Sequence, residues 1–161
     1  MPPGSTDNPV QIHNSRPGLQ FDWKEVQKLF LYLSKLPVHP QPTGELSIAF
    51  LPADEHTRLH VEHHNNPEPT DVITFQGDPA HNHAGEICVS PDFAQEYSTA
   101  LGTPFNEELT LYLVHGWLHL CGFDDLTEID LQAMRKAEMD AMAHLDAHDA
   151  IPGFRLLESG E

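Results

Sequence analysis

Apolar positions recur at helical spacing over Asp22–Leu36, where Val26, Leu29, Phe30 and Leu33 form one stripe and Lys24, Lys28 and Lys35 lie opposite. Asp22 is placed to cap this helix and Pro37 to end it. Glu45–Leu51, Asp71–Phe75 and Glu86–Ser90 are short runs rich in β-branched and apolar residues, the pattern of strands, and Val10–His13 offers a further short strand. Asp54–His63 reads as a short helix, Pro67 and Pro69 impose a loop, and Asp78–His83 reads as a turn. Pro91 opens a helix near Asp92–Tyr97, Asn106–Leu120 carries the strongest helical pattern, and Thr127 with Glu128 starts a last helix reaching about His148.

Helices that follow a small sheet, rather than alternating with its strands, predict an α+β fold. The expected form is a mixed sheet of about four strands packed against about five helices. Residues 1–20 read as a flexible lead-in with a possible first strand, 21–148 as a single domain, and 149–161 as a mobile C-terminal tail.

The chain has 161 residues, enough for one domain with its own core, and 39% of them are apolar. No apolar run approaches the roughly 20 residues that span a bilayer. The N-terminal stretch lacks the basic start and apolar segment of a secretory signal, and two cysteines, Cys88 and Cys121, are too few for a disulfide framework. A reduced, cytoplasmic protein without membrane contact is expected. The net charge of −17 argues against non-specific binding of polyanions, which makes the placement of the eight basic side chains important. Lys24, Lys28 and Lys35 fall within an arc of about 40° on their helix. They form either a solvated face or a local surface for an anionic ligand such as RNA.

Candidate chemistry concentrates in His115-Gly116-Trp117-Leu118-His119-Leu120-Cys121-Gly122-Phe123-Asp124-Asp125. Residues four apart on a helix share a face, so His115 and His119 offer two imidazoles to one point. Gly122 can end the helix in a left-handed turn, and Asp125 can then supply an oxygen to the same point. Three protein donors leave one coordination position open, as in catalytic zinc sites, where a water can ionise near neutral pH. In a chain with twelve histidines the His-x3-His pair alone is weak, and the following glycine and aspartate strengthen it. The alternative is two partly exposed histidines beside an acidic helix start at Asp124, Asp125 and Glu128. The string is similar to half of a metzincin signature, but Gly116 stands where such peptidases carry the glutamate base, which disfavours a conventional zinc peptidase.

Pro69-Thr70-Asp71-Val72-Ile73-Thr74-Phe75, then Gly85-Glu86-Ile87-Cys88-Val89-Ser90, then Glu108-Leu109 with Leu113 to Asp124, occur in order, and Met134 and Glu138 follow. Together, over about residues 40–145, these segments resemble the YbeY family of bacterial endoribonucleases, which act in ribosomal RNA maturation and ribosome quality control. The resemblance implies a metal-dependent, single-strand-specific endoribonuclease with its metal on the central helix, and ribosomal RNA and the ribosome or its proteins as partners. It also favours Asp125 over Asp124 as the third ligand, leaving Asp124 a supporting role.

Three positions depart from the family pattern. Asp125 replaces a third histidine. Zinc still accepts such a ligand, while manganese, iron or nickel become possible. His64 stands where the family has arginine, five residues before Pro69, and is the candidate catalytic phosphate contact. His60 and His64 are also four apart, a second possible metal pair. Glu86 replaces an aspartate and is a candidate for support around the metal. Two other functions stay open: a metal-dependent hydrolase of another class, amidase or peptidase-like, and a non-catalytic ribosome-associated protein with a structural metal.

Overall fold

The computed structural model describes residues 10–64 and 72–157. The elements run β1 (Val10–Asn14), β2 (Leu19–Gln20), α1 (Trp23–Ser34), β3 (Glu45–Phe50), α2 (Ala53–His64), β4 (Val72–Asp78), β5 (His83–Val89), α3 (Pro91–Leu101), α4 (Phe105–Leu120), α5 (Glu128–Ala147) and β6 (Arg155–Leu156). The main sheet has the order β1-β3-β5-β4, with β1, β3 and β5 parallel and β4 antiparallel to β5 on the edge. The fold is α+β with a mixed sheet, as the pattern predicts. The Pro67–Pro69 loop and Asp71 lie outside the described residues.

Side-chain alternation divides the sheet into two faces. Leu46, Ile48, Phe50, Ile87 and Val89 join one core with Val26, Leu29, Phe30 and Leu33 of α1, Leu109, Leu113 and Leu118 of α4, and Met134, Ala141 and Leu145 of α5. Each of the larger of these side chains withdrawn from water contributes about 1.5–3 kcal/mol. Ala49, Ile73 and Cys88 face the other way, under Leu59 of α2. There His56, 1% exposed, sets its Nε2 2.9 Å from the Cys88 carbonyl oxygen.

The helix starts follow their caps. The Asp22 carboxylate accepts from the Lys24 N–H, Ser90 Oγ from the Phe93 N–H, and Thr127 Oγ1 from the Asp130 N–H. α4 is buried along most of its length and lies against β4 and β5. Gly116 permits that approach: a Cβ there would stand 2.6 Å from Ile87 Cγ2 and 3.2 Å from Val72 Cγ2.

Of the segment expected as a tail, residues 149–157 are described, and they pack on the domain. β6 pairs with β2, and the Leu157 N–H donates to the Gly18 carbonyl at 2.9 Å. Ala150 and Phe154 are each 3% exposed, and the Phe154 ring packs 5.8 Å from Phe21 and 5.5 Å from Phe50. The absence of a long apolar run hid this, because a single phenylalanine and a two-residue strand anchor the segment. The N-terminal lead-in likewise supplies β1 and β2.

Candidate metal centre

α4 ends in a Schellman turn. The Gly122 N–H donates to the His119 carbonyl and the Phe123 N–H to the Leu118 carbonyl, each at 3.0 Å. Gly122 takes φ +102°, a region that side chains with a Cβ rarely enter, so the glycine makes the reversal possible. The chain turns back past the last turn of α4. Asp124 Oδ1 then accepts from the Asp125 N–H at 2.8 Å and steadies the loop.

The reversal brings three donors together. His115 Nε2 is 3.0 Å from His119 Nε2, and Asp125 Oδ2 lies 3.6 Å from the former and 3.7 Å from the latter. A tetrahedral zinc ion with bonds of about 2.0–2.1 Å requires donor separations of about 3.4 Å. The triangle therefore has the dimensions of one face of such a coordination sphere. Side-chain exposure rises from 12% at His115 through 22% at His119 to 37% at Asp125, so the open side of the triangle faces solvent at the aspartate.

The second nitrogen of His115 explains the orientation of the first. Its Nδ1 makes a close hydrogen bond to Glu138 Oε2, across from α5. A carboxylate only accepts, so Nδ1 carries the hydrogen and Nε2 presents its lone pair to the centre. Glu138 Oε1 accepts from Arg135 Nη1 at 2.8 Å. Burial alone would raise the Glu138 carboxyl. Hydrogen bonds from His115 and Arg135, with the Arg135 charge, outweigh it and hold the group below its ordinary value.

The other sequence candidates fall elsewhere. Asp124 acts on the backbone of the loop and not on the donor triangle. Glu86 is not at the centre. Its neighbour Ile87 faces Gly116 of α4, so Glu86 points to the opposite side of the sheet, where it is hydrogen-bonded to the Cys88 thiol. His64 is the last residue of α2, and its side chain lies outside the described residues, as does the geometry of the His60–His64 pair. Lys24 Nζ lies over the Trp23 ring at 5.8 Å, whereas Lys28 and Lys35 converge on Tyr32. Lys28 also donates to the Asp149 carbonyl at 3.0 Å. That contact lies beyond the end of α5, about 16 Å along the helix from Glu138.

Glu138 and Arg135 are the residues the site reading missed. A signal existed: Met134, Glu138, Ala141 and Leu145 are the buried positions of α5, so Glu138 is a carboxylate within an apolar stripe. Such a group needs a buried partner.

Fold and site thus define a small α+β protein with a solvent-reaching His–His–Asp centre fit for a divalent cation. Comparison with known proteins makes the assignment specific. Residues 11–146 match the family described as Endoribonuclease YbeY. The chain is 42% identical over 109 residues to an Endoribonuclease YbeY of Protochlamydia amoebophila, covering 65% of this chain and 73% of that protein. It is 30% identical over 154 residues to one of Chlamydia trachomatis, covering 88% and 91%. A solution structure from Thermotoga maritima shares the fold at a TM-score of 0.54 and 20% identity, over 94% of this chain and 99% of the other. The chain belongs to the YbeY family.

Proposed function

We propose that this protein is a metal-dependent endoribonuclease that cuts single-stranded RNA, and that it serves ribosomal RNA maturation and ribosome quality control in the cytoplasm. The observation that carries the reading is the convergence of His115, His119 and Asp125, whose donor atoms all lie within 4.8 Å of one another, in a chain of this family. No helix among the described residues is long and apolar enough to cross a membrane.

A bound divalent cation supplies Lewis acidity toward a phosphodiester and lowers the pKa of a coordinated water. His115 and His119 give nitrogen donors, and Glu138 fixes the tautomer and ring orientation of His115. Asp125 adds a negative oxygen donor at the solvent side. Two imidazoles favour zinc, while the carboxylate widens the choice toward manganese, iron or nickel. His64, in the position of the family's arginine, is the proposed phosphate contact. His64→Arg should then raise cleavage and His64→Ala lower it. Gly116, packed on Ile87, leaves no place for the glutamate that a zinc peptidase uses.

The test is cleavage of a labelled single-stranded RNA by metal-loaded protein. Wild type cuts, and a chelator stops it until zinc or manganese is restored. Peptide substrates remain intact. Cutting of peptides but not RNA would move the protein to another hydrolase class.

A further inference from the structure

The region where α1 meets the end of α5 gathers groups of one kind. Tyr32 lies with its ring centroid 4.9 Å from His148 and 6.0 Å from His144, and the two histidine rings are 4.5 Å apart. Lys35 Nζ stands 5.2 Å and Lys28 Nζ 5.9 Å from the Tyr32 ring. The His144 Nε2 lies 3.2 Å from the Tyr32 carbonyl oxygen and His148 Nδ1 lies 2.8 Å from the His144 carbonyl oxygen, so the two histidine rings are held in place beside the Tyr32 ring. Lys28, Lys35 and His148 are exposed.

From this juxtaposition we propose a second RNA-contact surface, in which Lys28 and Lys35 hold phosphates of a single strand and the His148–Tyr32 rings receive an unstacked base. The proposal rests on the endoribonuclease reading and adds to it a site at the far end of α5 from the metal centre. Ammonium groups interleaved with fixed rings are the parts from which single-strand surfaces are built. The net charge of −17 does not forbid it. At physiological salt, charges further than about 8 Å are largely screened, so the local pair of lysines outweighs remote carboxylates. Asp146 and Asp149 lie at this end of α5, and Glu25, one turn before Lys28 on α1, accepts from the Gly153 N–H. The Asp149 backbone carbonyl already takes one Lys28 hydrogen, and Asp140, one turn before His144, is paired with Lys136. An acidic protein could use the lysines but has no need of the rings, which gives the test its second arm.

The experiment measures binding of the full-length protein to a fluorescent 2′-O-methyl-uridine strand of about ten nucleotides, and to an abasic strand of equal length and charge. Wild type should bind the uridine strand about five-fold or more tighter than the abasic one, and His148→Ala should erase that difference. Lys28→Gln with Lys35→Gln should weaken both and flatten the log–log salt slope by about 1.4. Equal binding of the two strands by wild type would overturn the stacking surface in favour of a general polyanion patch. Unchanged affinity in the double-lysine variant would overturn the surface altogether. Zinc retention and RNA cleavage by wild type, read alongside, report on the metal centre separately, so failure of this surface and failure of the nuclease reading are told apart.

Discussion

At the residue scale, the centre depends on how one imidazole is oriented. His115 lends Nε2 to the centre because Glu138 occupies Nδ1, and Glu138 is tolerated in the core because Arg135 takes its other oxygen. Glu138→Gln keeps the shape but removes the charge that selects the tautomer. Zinc affinity of that variant, measured by competition with a chromophoric chelator, should fall about 10–100-fold. An unchanged affinity would show that His115 needs no such support. Asp125→Ala should also lose metal, and Asp125→His should keep or tighten zinc; full occupancy in the alanine variant would assign the third donor elsewhere. The two cysteines behave differently from the centre. Burial pushes the Cys88 and Cys121 thiols up to about 12, with Glu86 adding to the effect at Cys88. Folded protein near neutral pH should therefore resist thiol reagents that label both cysteines in denaturant, and rapid labelling of the folded state would contradict their burial. Of these residues, the two histidines and Gly122 are related by helix geometry and a single turn, and spacing offered Asp125 as third donor, but its preference over Asp124 came from the family resemblance. Glu138 could not, since the packing of α5 on α4 brings it in from 23 residues away in sequence. Glu86 misled because a family position does not reveal which face of a strand a side chain takes.

At the element scale, α4 is the platform and its approach to the sheet is the condition for the site. Helical period, caps and prolines made the five helices and the main strands legible, and boundaries shifted where the backbone is irregular. β5 begins at His83 rather than Glu86, ahead of Gly85 at φ +144° and beside a register shift in its pairing with β3. α3 runs on to Leu101, where Gly102 stops it in a left-handed conformation. The docked C-terminal segment was the least legible element, since its hold comes from distant partners. Phe154→Ala should cost about 3–5 kcal/mol and lower the melting temperature by about 6–20 °C. A melting temperature equal to wild type would mean that the Phe21–Phe50–Phe154 cluster adds nothing in solution.

At the scale of the whole molecule, a net charge of −17 sits on a protein assigned to a polyanionic substrate. Composition alone disfavoured that assignment; under the two proposals above, RNA is met locally, at the cation centre and at the Tyr32 cluster, rather than by the overall charge. Self-repulsion among carboxylates should make the folded state sensitive to salt. The melting temperature of chelator-treated protein should rise between low ionic strength and about 0.15 M sodium chloride, where the Debye length is about 8 Å. A fall over that range would mean that attractive ion pairs, such as Arg16 with Asp92, dominate instead. Elemental analysis of purified protein, paired with RNA cleavage on wild type and His119→Ala, decides whether this centre holds a metal that cleavage needs. Wild type should carry about one divalent ion per chain and cleave RNA, with both lost in the variant. Cleavage by His119→Ala at the wild-type rate, or by wild type freed of metal, would contradict that dependence.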